Sequence, residues 1–364
     1  MSDPIQAALV ALLPPLLGTL DALEDIGRHV HPPLQPALLE RLGDLDTRLH
    51  AALAPFNAVA WPENLLPFRE QLALACTHTL RAADGLRAAL RDSNPQFAAS
   101  RALRQTGRAA EALYPIASVL PVVSRFFLEA GRRDDPALAA RLKAGPEGTG
   151  IQHASNDTGM RGGFSVYVPE YLDRAEATPI LFALHGGGGH GRLFLWNWVR
   201  EARTRGIIVV APTARGDTWS LMEPETDSSN LALILSELRH HYAIDPARML
   251  LTGMSDGGTF TLLSGLDADS PFTHLAPVAA SFHPMLLAVS EPARIKDLPV
   301  YLVHGALDWM FPVAVGRMAN QALRAAGARV TYREIADLSH TYPRDENPRI
   351  LDWFLGGDAG AESD

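Results

Sequence analysis

Up to about residue 143, apolar positions recur at helical spacing. Leu65, Phe68, Leu72, Cys76, Leu80, Ala83, Leu86 and Leu90 follow one another at steps of three or four, which lines one face of a helix. Pro62 stands near its start, where a missing N–H costs little. A second long segment follows Asn94-Pro95 and runs through Ala98, Leu103, Ala110, Leu113 and Ile116 toward Phe127, with Pro115 and Pro121 expected to kink it. Earlier segments around 4–27 and 34–54 complete an amphipathic set able to close a bundle.

The pattern changes at Lys143-Ala144-Gly145-Pro146-Glu147-Gly148-Thr149-Gly150, a Gly-rich stretch that reads as a linker. Beyond it, short β-branched and apolar runs predict strands at Phe164–Val168, Ile180–Leu184, Ile207–Ala211, Met249–Thr252, Leu275–Ala280, Val300–Val303 and Val330–Ile335. Helical patterns fall between several of them, at Leu193–Arg205, Asn230–His241, Gly258–Leu266, Val313–Ala326 and Pro348–Phe354. Such alternation implies a mostly parallel sheet flanked by helices. The expected organisation is a helical-bundle domain over 1–143, a linker over 144–150, an α/β domain over 151–358 and a disordered tail over 359–364.

Composition narrows the picture. A hydrophobic fraction of 47% and a charged fraction of 20% are ordinary for a soluble globular protein. The net charge of −9 argues against a nucleic-acid partner, which calls for a basic face. Cys76 is the sole cysteine, so an intrachain disulfide and a cysteine-rich metal site are both excluded. The apolar run Ile5–Leu20 has Asp3 as the only charged side chain before it, has no Lys or Arg before Arg28 and is interrupted by Pro14 and Pro15. It therefore reads as a buried helix rather than an export signal or a membrane span, and the expected location is cytoplasmic.

Candidate chemistry begins at Gly253-Met254-Ser255-Asp256-Gly257, which matches G-x-S-x-G between a predicted strand and a predicted helix. A nucleophilic serine on so tight a turn leaves no room for side chains two residues away, and the helix N-terminus that follows favours developing negative charge. Upstream, Leu184-His185-Gly186-Gly187-Gly188-Gly189-His190-Gly191 continues directly from a strand. Consecutive glycines let backbone N–H groups approach a tetrahedral oxyanion, and no Gly-Lys-Ser/Thr follows to make a phosphate loop. The expected donors are the N–H of Asp256 and that of Gly187 or Gly188.

A parallel sheet delivers functional residues at the C-terminal ends of its strands. Asp308 follows Val300–Val303 and His340 follows Val330–Ile335, which gives the order Ser255, Asp308, His340 expected of such a triad. His340 would take the serine proton, and Asp308 would orient the imidazole and stabilise its cation. Among rivals, Asp256 is too close along the turn to reach the far side of the ring, and Asp337 shares the loop of His340. His185 belongs to the glycine loop, His240 and His241 suit a helix C-terminus, and His304 suits a structural place under the Asp308 turn.

His185-Gly186-Gly187-Gly188-Gly189, Gly253-Met254-Ser255-Asp256-Gly257, His304-Gly305 with Asp308, and Asp337-Leu338-Ser339-His340 together resemble the α/β-hydrolase superfamily. More narrowly they resemble its phospholipase/carboxylesterase group, with dienelactone-hydrolase-like and polyester-depolymerase or feruloyl-esterase-like relatives. The resemblance covers about residues 150–356 and implies a cofactor-free hydrolase of carboxylic esters; separately, no H-E-x-x-H or comparable ligand spacing appears, so no metal is expected. The resemblance says nothing of the helical first half, which could serve as a dimerisation element, a cover or a partner-binding module; a homo-oligomer formed through it is one expectation.

For a substrate pocket the candidates are Trp219, Trp309 and Met310, aromatic or apolar residues on loops after strands, whereas Trp196 and Trp198 lie on a helix and read as core. They suggest a small or aromatic acyl group. Peptidase, thioesterase and lactonase activities use the same triad, and a non-catalytic scaffold is the alternative from another class. The basic stripe Arg101, Arg104 and Arg108 reads as a solvated face.

Overall fold

The computed structural model describes residues 3–31, 34–142, 145 and 147–356. The expected tail at 359–364, and Lys143, Ala144 and Pro146 of the expected linker, lie outside the described residues. The chain divides into two compact units, Met1–Phe127 and Leu128–Asp364.

The first unit is all helical: α1 (Asp3–His29), α2 (Gln35–Glu40), α3 (Leu45–Ala58), α4 (Leu66–Ala89), α5 (Pro95–Leu113) and α6 (Pro121–Phe126). By length and composition Pro4–His29 is apolar enough to cross a membrane. Its residues Leu9, Leu12, Leu16, Leu20, Leu23 and Ile26 are buried, at the spacing of one helix face, and α1 packs on α3, α4 and α5. The helix runs unbroken through Pro14 and Pro15. Small buried residues (Ala82 and Ala83 on α4, Ala99 and Ala102 on α5) let those two helices lie close together.

Local chemistry corrects three expectations here. The segment around 34–54 is two helices, because the chain between α2 and α3 passes through Gly43 at φ 54°, a left-handed conformation that ends a helix. Pro115 does not kink a continuing helix: α5 stops at Leu113 and gives way to a 3-10 turn over Tyr114–Ser118. Pro121 opens α6 at a first-turn position, where it has no N–H to lose.

The unit boundary falls before the expected 143. Leu128, Leu138 and Leu142 cluster with Tyr171, and Glu129 pairs with Arg205 at 2.5 Å, so 128–142, including α7 (Pro136–Arg141), belongs to the second unit. Gly148 is tied there too: its carbonyl accepts from Tyr242 Oη at 2.7 Å and Gln152 Nε2 at 2.9 Å.

The second unit is built on a sheet of β1 (Gly150–Ala154), β2 (Phe164–Val168), β3 (Thr178–Leu184), β4 (Ile208–Pro212), β5 (Ile244–Met254), β6 (His274–Val278), β7 (Pro299–Gly305) and β8 (Arg329–Ile335). Among the described residues its order is β1-β2-β4-β3-β5-β6-β7-β8. β1–β2 and β2–β4 are antiparallel and every other pairing is parallel. The connecting helices are α8 (Gly191–Phe194), α9 (Val199–Arg205), α10 (Glu225–His241), α11 (Asp256–Gly265), α12 (Met285–Val289), α13 (Pro292–Ile295), α14 (Val313–Ala325) and α15 (Asn347–Phe354). Every residue of β3 is buried, which is why it reads as a continuous apolar run rather than an alternating one. β1 carries the polar sequence Gly-Ile-Gln-His-Ala on an exposed edge, which hid it within and beside the expected linker.

One buried acid stands out in this core. Glu201 on α9 is buried, its Oε2 has no hydrogen-bond partner among the described residues, and loss of hydration pushes its carboxyl pKa up. A carboxyl whose folded pKa exceeds its unfolded value imposes no charging cost in acid; the cost appears as pH rises above the ordinary glutamate range and persists beyond the folded pKa. Glu201→Gln should therefore melt at a temperature that gains on wild type as pH rises above the ordinary glutamate range. A difference in melting temperature that does not change with pH would contradict this.

Candidate active site

Leu184 at the end of β3 pairs with Gly253 near the end of β5, so the glycine run and the serine turn emerge side by side. Ser255 joins β5 to α11 at φ 57° and ψ −119°, a backbone that residues with side chains avoid. Its N–H donates to Val278 O of β6 at 2.9 Å, and its carbonyl accepts from Thr259 N at 2.8 Å, which starts α11. The flanking glycines are there for close approach. A Cβ on Gly257 would lie 2.5 Å from the carbonyl oxygens of both Leu184 and His185, and one on Gly253 would lie 2.5 Å from Gly257 O.

The turn aims the hydroxyl at the imidazole. Ser255 Oγ donates to His340 Nε2 at 2.9 Å, and His340 Nδ1 donates to Asp308 Oδ2 at 2.8 Å. The Asp308 side chain has no solvent exposure and that of His340 is 7% exposed, so both bonds lie in a largely dry environment. Asp308 Oδ1 accepts from the backbone N–H groups of Met310 at 2.9 Å and Phe311 at 2.8 Å. Two amides thus fix one oxygen while the other faces the ring.

The loops carrying acid and base are joined to each other. Ala306 N donates to Ile335 O and Leu307 N to Leu338 O, both at 2.9 Å. Phe311 meets the His340 ring edge-on at 5.3 Å between centroids. His304 is fully buried and its Nε2 donates to Phe311 O at 2.8 Å, which makes it a support of the Asp308 turn. The rivals are placed elsewhere: Asp337 is exposed, and Asp256 Oδ2 accepts from Thr218 Oγ1 at 2.6 Å.

Of the expected oxyanion donors, Gly188 is already committed, because its N–H donates to Asp217 O at 3.2 Å. The N–H groups of Gly187 and of Asp256, the first residue of α11, have no acceptor among the described residues. The glycine run is held from the side by the loop 214–219. Ala214 N donates to His185 Nε2 at 3.1 Å and Trp219 Nε1 to His185 O at 2.7 Å. That support was not legible in the sequence, since nothing in the spacing of two distant loops announces a hydrogen bond between them.

Trp219 therefore does not line an open pocket. It is 2% exposed, its ring stacked on Phe260 at 5.2 Å and beside His185 at 5.0 Å, because its indole N–H is needed beneath the glycine loop. Trp309 is 43% exposed and 6.2 Å from His340, and Met310 is also open at the surface. Trp196 and Trp198 are buried.

Sheet order and the serine turn between β5 and α11 give the second unit an α/β-hydrolase fold. Residues 224–353 match the phospholipase/carboxylesterase family model. Among characterised proteins the chain is similar to a bifunctional acetylxylan esterase/xylanase from Neocallimastix patriciarum, 27% identical over 197 residues, covering 52% of this chain and 27% of that protein. It is also similar to acyl-protein thioesterase 1 from Neurospora crassa, 24% identical over 216 residues, covering 50% of this chain and 87% of that one. The chain thus spans about a quarter of the first relative's length. A thermostable esterase of known structure is 21% identical, with 53% of this chain and 58% of that chain covered at a TM-score of 0.45.

The close approach at the serine turn can be tested. Gly257→Ala should destabilise the second unit by more than about 2 kcal/mol in urea unfolding, because backbone carbonyls cannot yield as a flexible side chain would. Gly131→Ala, with nothing near its added Cβ, should be within about 0.5 kcal/mol of wild type. Equal effects would contradict the packing argument.

Proposed function

We propose that the protein is a serine hydrolase that cleaves carboxylic esters through an acyl-enzyme, with small or aromatic acyl groups favoured. The observation that carries this reading is the continuous line from Ser255 Oγ through His340 to Asp308. Ser255 Oγ attacks the ester carbonyl carbon as its proton passes to His340 Nε2. The resulting imidazolium is stabilised by Asp308, and the tetrahedral oxyanion accepts from the N–H groups of Asp256 and Gly187. Collapse breaks the bond to the alcohol, which leaves with the proton from His340. Water, deprotonated by the same ring, then attacks the acyl-enzyme, and the second collapse returns the proton to Ser255.

The partly exposed Trp309, 6.2 Å from His340, and its chain neighbour Met310 offer an apolar wall to the acyl group. The family matched over 224–353 and the two relatives' names support an acyl-transfer reaction on oxygen or sulfur esters.

A fluorophosphonate probe should label the wild type and leave Ser255→Ala unlabelled. Turnover of p-nitrophenyl acetate should fall by about 10⁴–10⁶ in Ser255→Ala and His340→Ala, and by about 10⁴ in Asp308→Asn. Absence of labelling in the wild type would refute the proposal. Turnover of peptide amides or acyl thioesters ahead of oxygen esters would correct the substrate class. Trp309→Ala should change the ranking of p-nitrophenyl esters by acyl size, with discrimination shifting about 10-fold or more. An unchanged ranking would remove Trp309 from the acyl site.

A further inference from the structure

The oxyanion amide proposed above comes from a run of four consecutive glycines, Gly186–Gly189, the most conformationally free backbone a protein can build. For its N–H to stabilise charge without reorganising, something must hold it. Part of the restraint is local, from Gly189 N to Gly186 O at 2.9 Å. A second part comes from the loop 214–219, through Gly188 N to Asp217 O. That loop also contains glycine, at Gly216, and must itself be fixed.

Arg161, in the connection between β1 and β2, reaches both loops. Its Nη1 donates to Gly189 O at 2.8 Å, and its Nε donates to Gly216 O at 2.7 Å, with Nη2 directed at the same carbonyl. The planar guanidinium thus ties the end of the glycine run to the loop that supports it, through charge-assisted bonds to two main-chain oxygens. The connection carrying Arg161 is anchored in turn. Gly162 N donates to Thr213 O at 3.1 Å, His190 Nε2 to Met160 O at 3.0 Å, and Arg192 pairs with Asp157 at 2.6 Å.

We infer that Arg161 is a positioning residue for the oxyanion loop: its guanidinium clamps Gly189 and Gly216 and so holds the Gly187 N–H in place for the transition state. It touches no reacting atom. The inference rests on the ester-hydrolase reading for its effect on rate, but the clamp itself is a property of the loop.

The test pairs kinetics with hydrogen exchange. Arg161→Ala in the full chain should lower kcat for p-nitrophenyl acetate by about 10- to 100-fold, less than the loss of an oxyanion donor itself, with KM within about 3-fold. Amide exchange in a peptide spanning 185–191 should speed up while exchange in β3 and β5 is unchanged. Added guanidinium at millimolar concentration should restore part of the rate, which a merely structural defect would not allow. If Arg161→Ala melts well below wild type, Arg161→Lys decides: it keeps the charge but cannot span both carbonyls, and should lose about 3- to 10-fold in kcat. Wild-type kcat and wild-type exchange at 185–191 in a folded variant would overturn the clamp and leave the hydrolase reading standing. A wild type that neither turns over esters nor takes the fluorophosphonate label would end the hydrolase reading, while exchange at 185–191 would still judge the clamp.

Discussion

Between β5 and α11 the backbone passes through φ 57° and ψ −119° at Ser255, a conformation that costs about 1–3 kcal/mol for a residue with a side chain. The neighbouring segments over-determine it. Val278 O takes the Ser255 N–H, and the carbonyls of Leu184 and His185 press so closely on Gly257 that no side chain fits there. The turn cannot relax without separating β3, β5 and β6, which form the buried centre of the sheet. The hydroxyl is therefore presented at a fixed point, and the other groups of the site need only reach it.

They reach it because the parallel strands end at a common edge. The loops after β7 and β8 are hydrogen-bonded to each other before they arrive, so Asp308 and His340 behave as one preassembled pair. On the other side, the glycine run after β3 lies against the loop that follows β4, with the Trp219 indole underneath and its N–H on His185 O. Two hydrogen-bonded arms thus flank one sterically fixed turn.

Much of this could be read from the sequence, for reasons that differ by element. The buried strands announce themselves as continuous apolar runs because both faces are covered, and the serine turn announces itself because steric crowding admits only glycine at Gly253 and Gly257. Strand-end placement located Asp308 and His340 without any contact information. What stayed hidden depends on partners remote in sequence. β1 is a polar edge strand with one strongly apolar residue, Ile151, and it starts at the last residue of the expected linker, so it was not read as a strand. Trp219 looks like any loop aromatic until its indole N–H is seen to serve a carbonyl far away along the chain. The commitment of Gly188 to Asp217 O is likewise invisible to a motif that counts glycines. In the helical unit, the segment around 4–27 is one helix despite Pro14 and Pro15, whereas the kink expected at Pro115 is instead the end of a helix.

A crystal structure of the protein inactivated by diethyl p-nitrophenyl phosphate bears most directly on convergence at this turn. Phosphorus is expected on Ser255 Oγ, with one phosphoryl oxygen within hydrogen-bond distance of both Asp256 N and Gly187 N, and His340 Nε2 beside an ester oxygen. Phosphorus on another residue, or a phosphoryl oxygen turned away from those two amides, would contradict it.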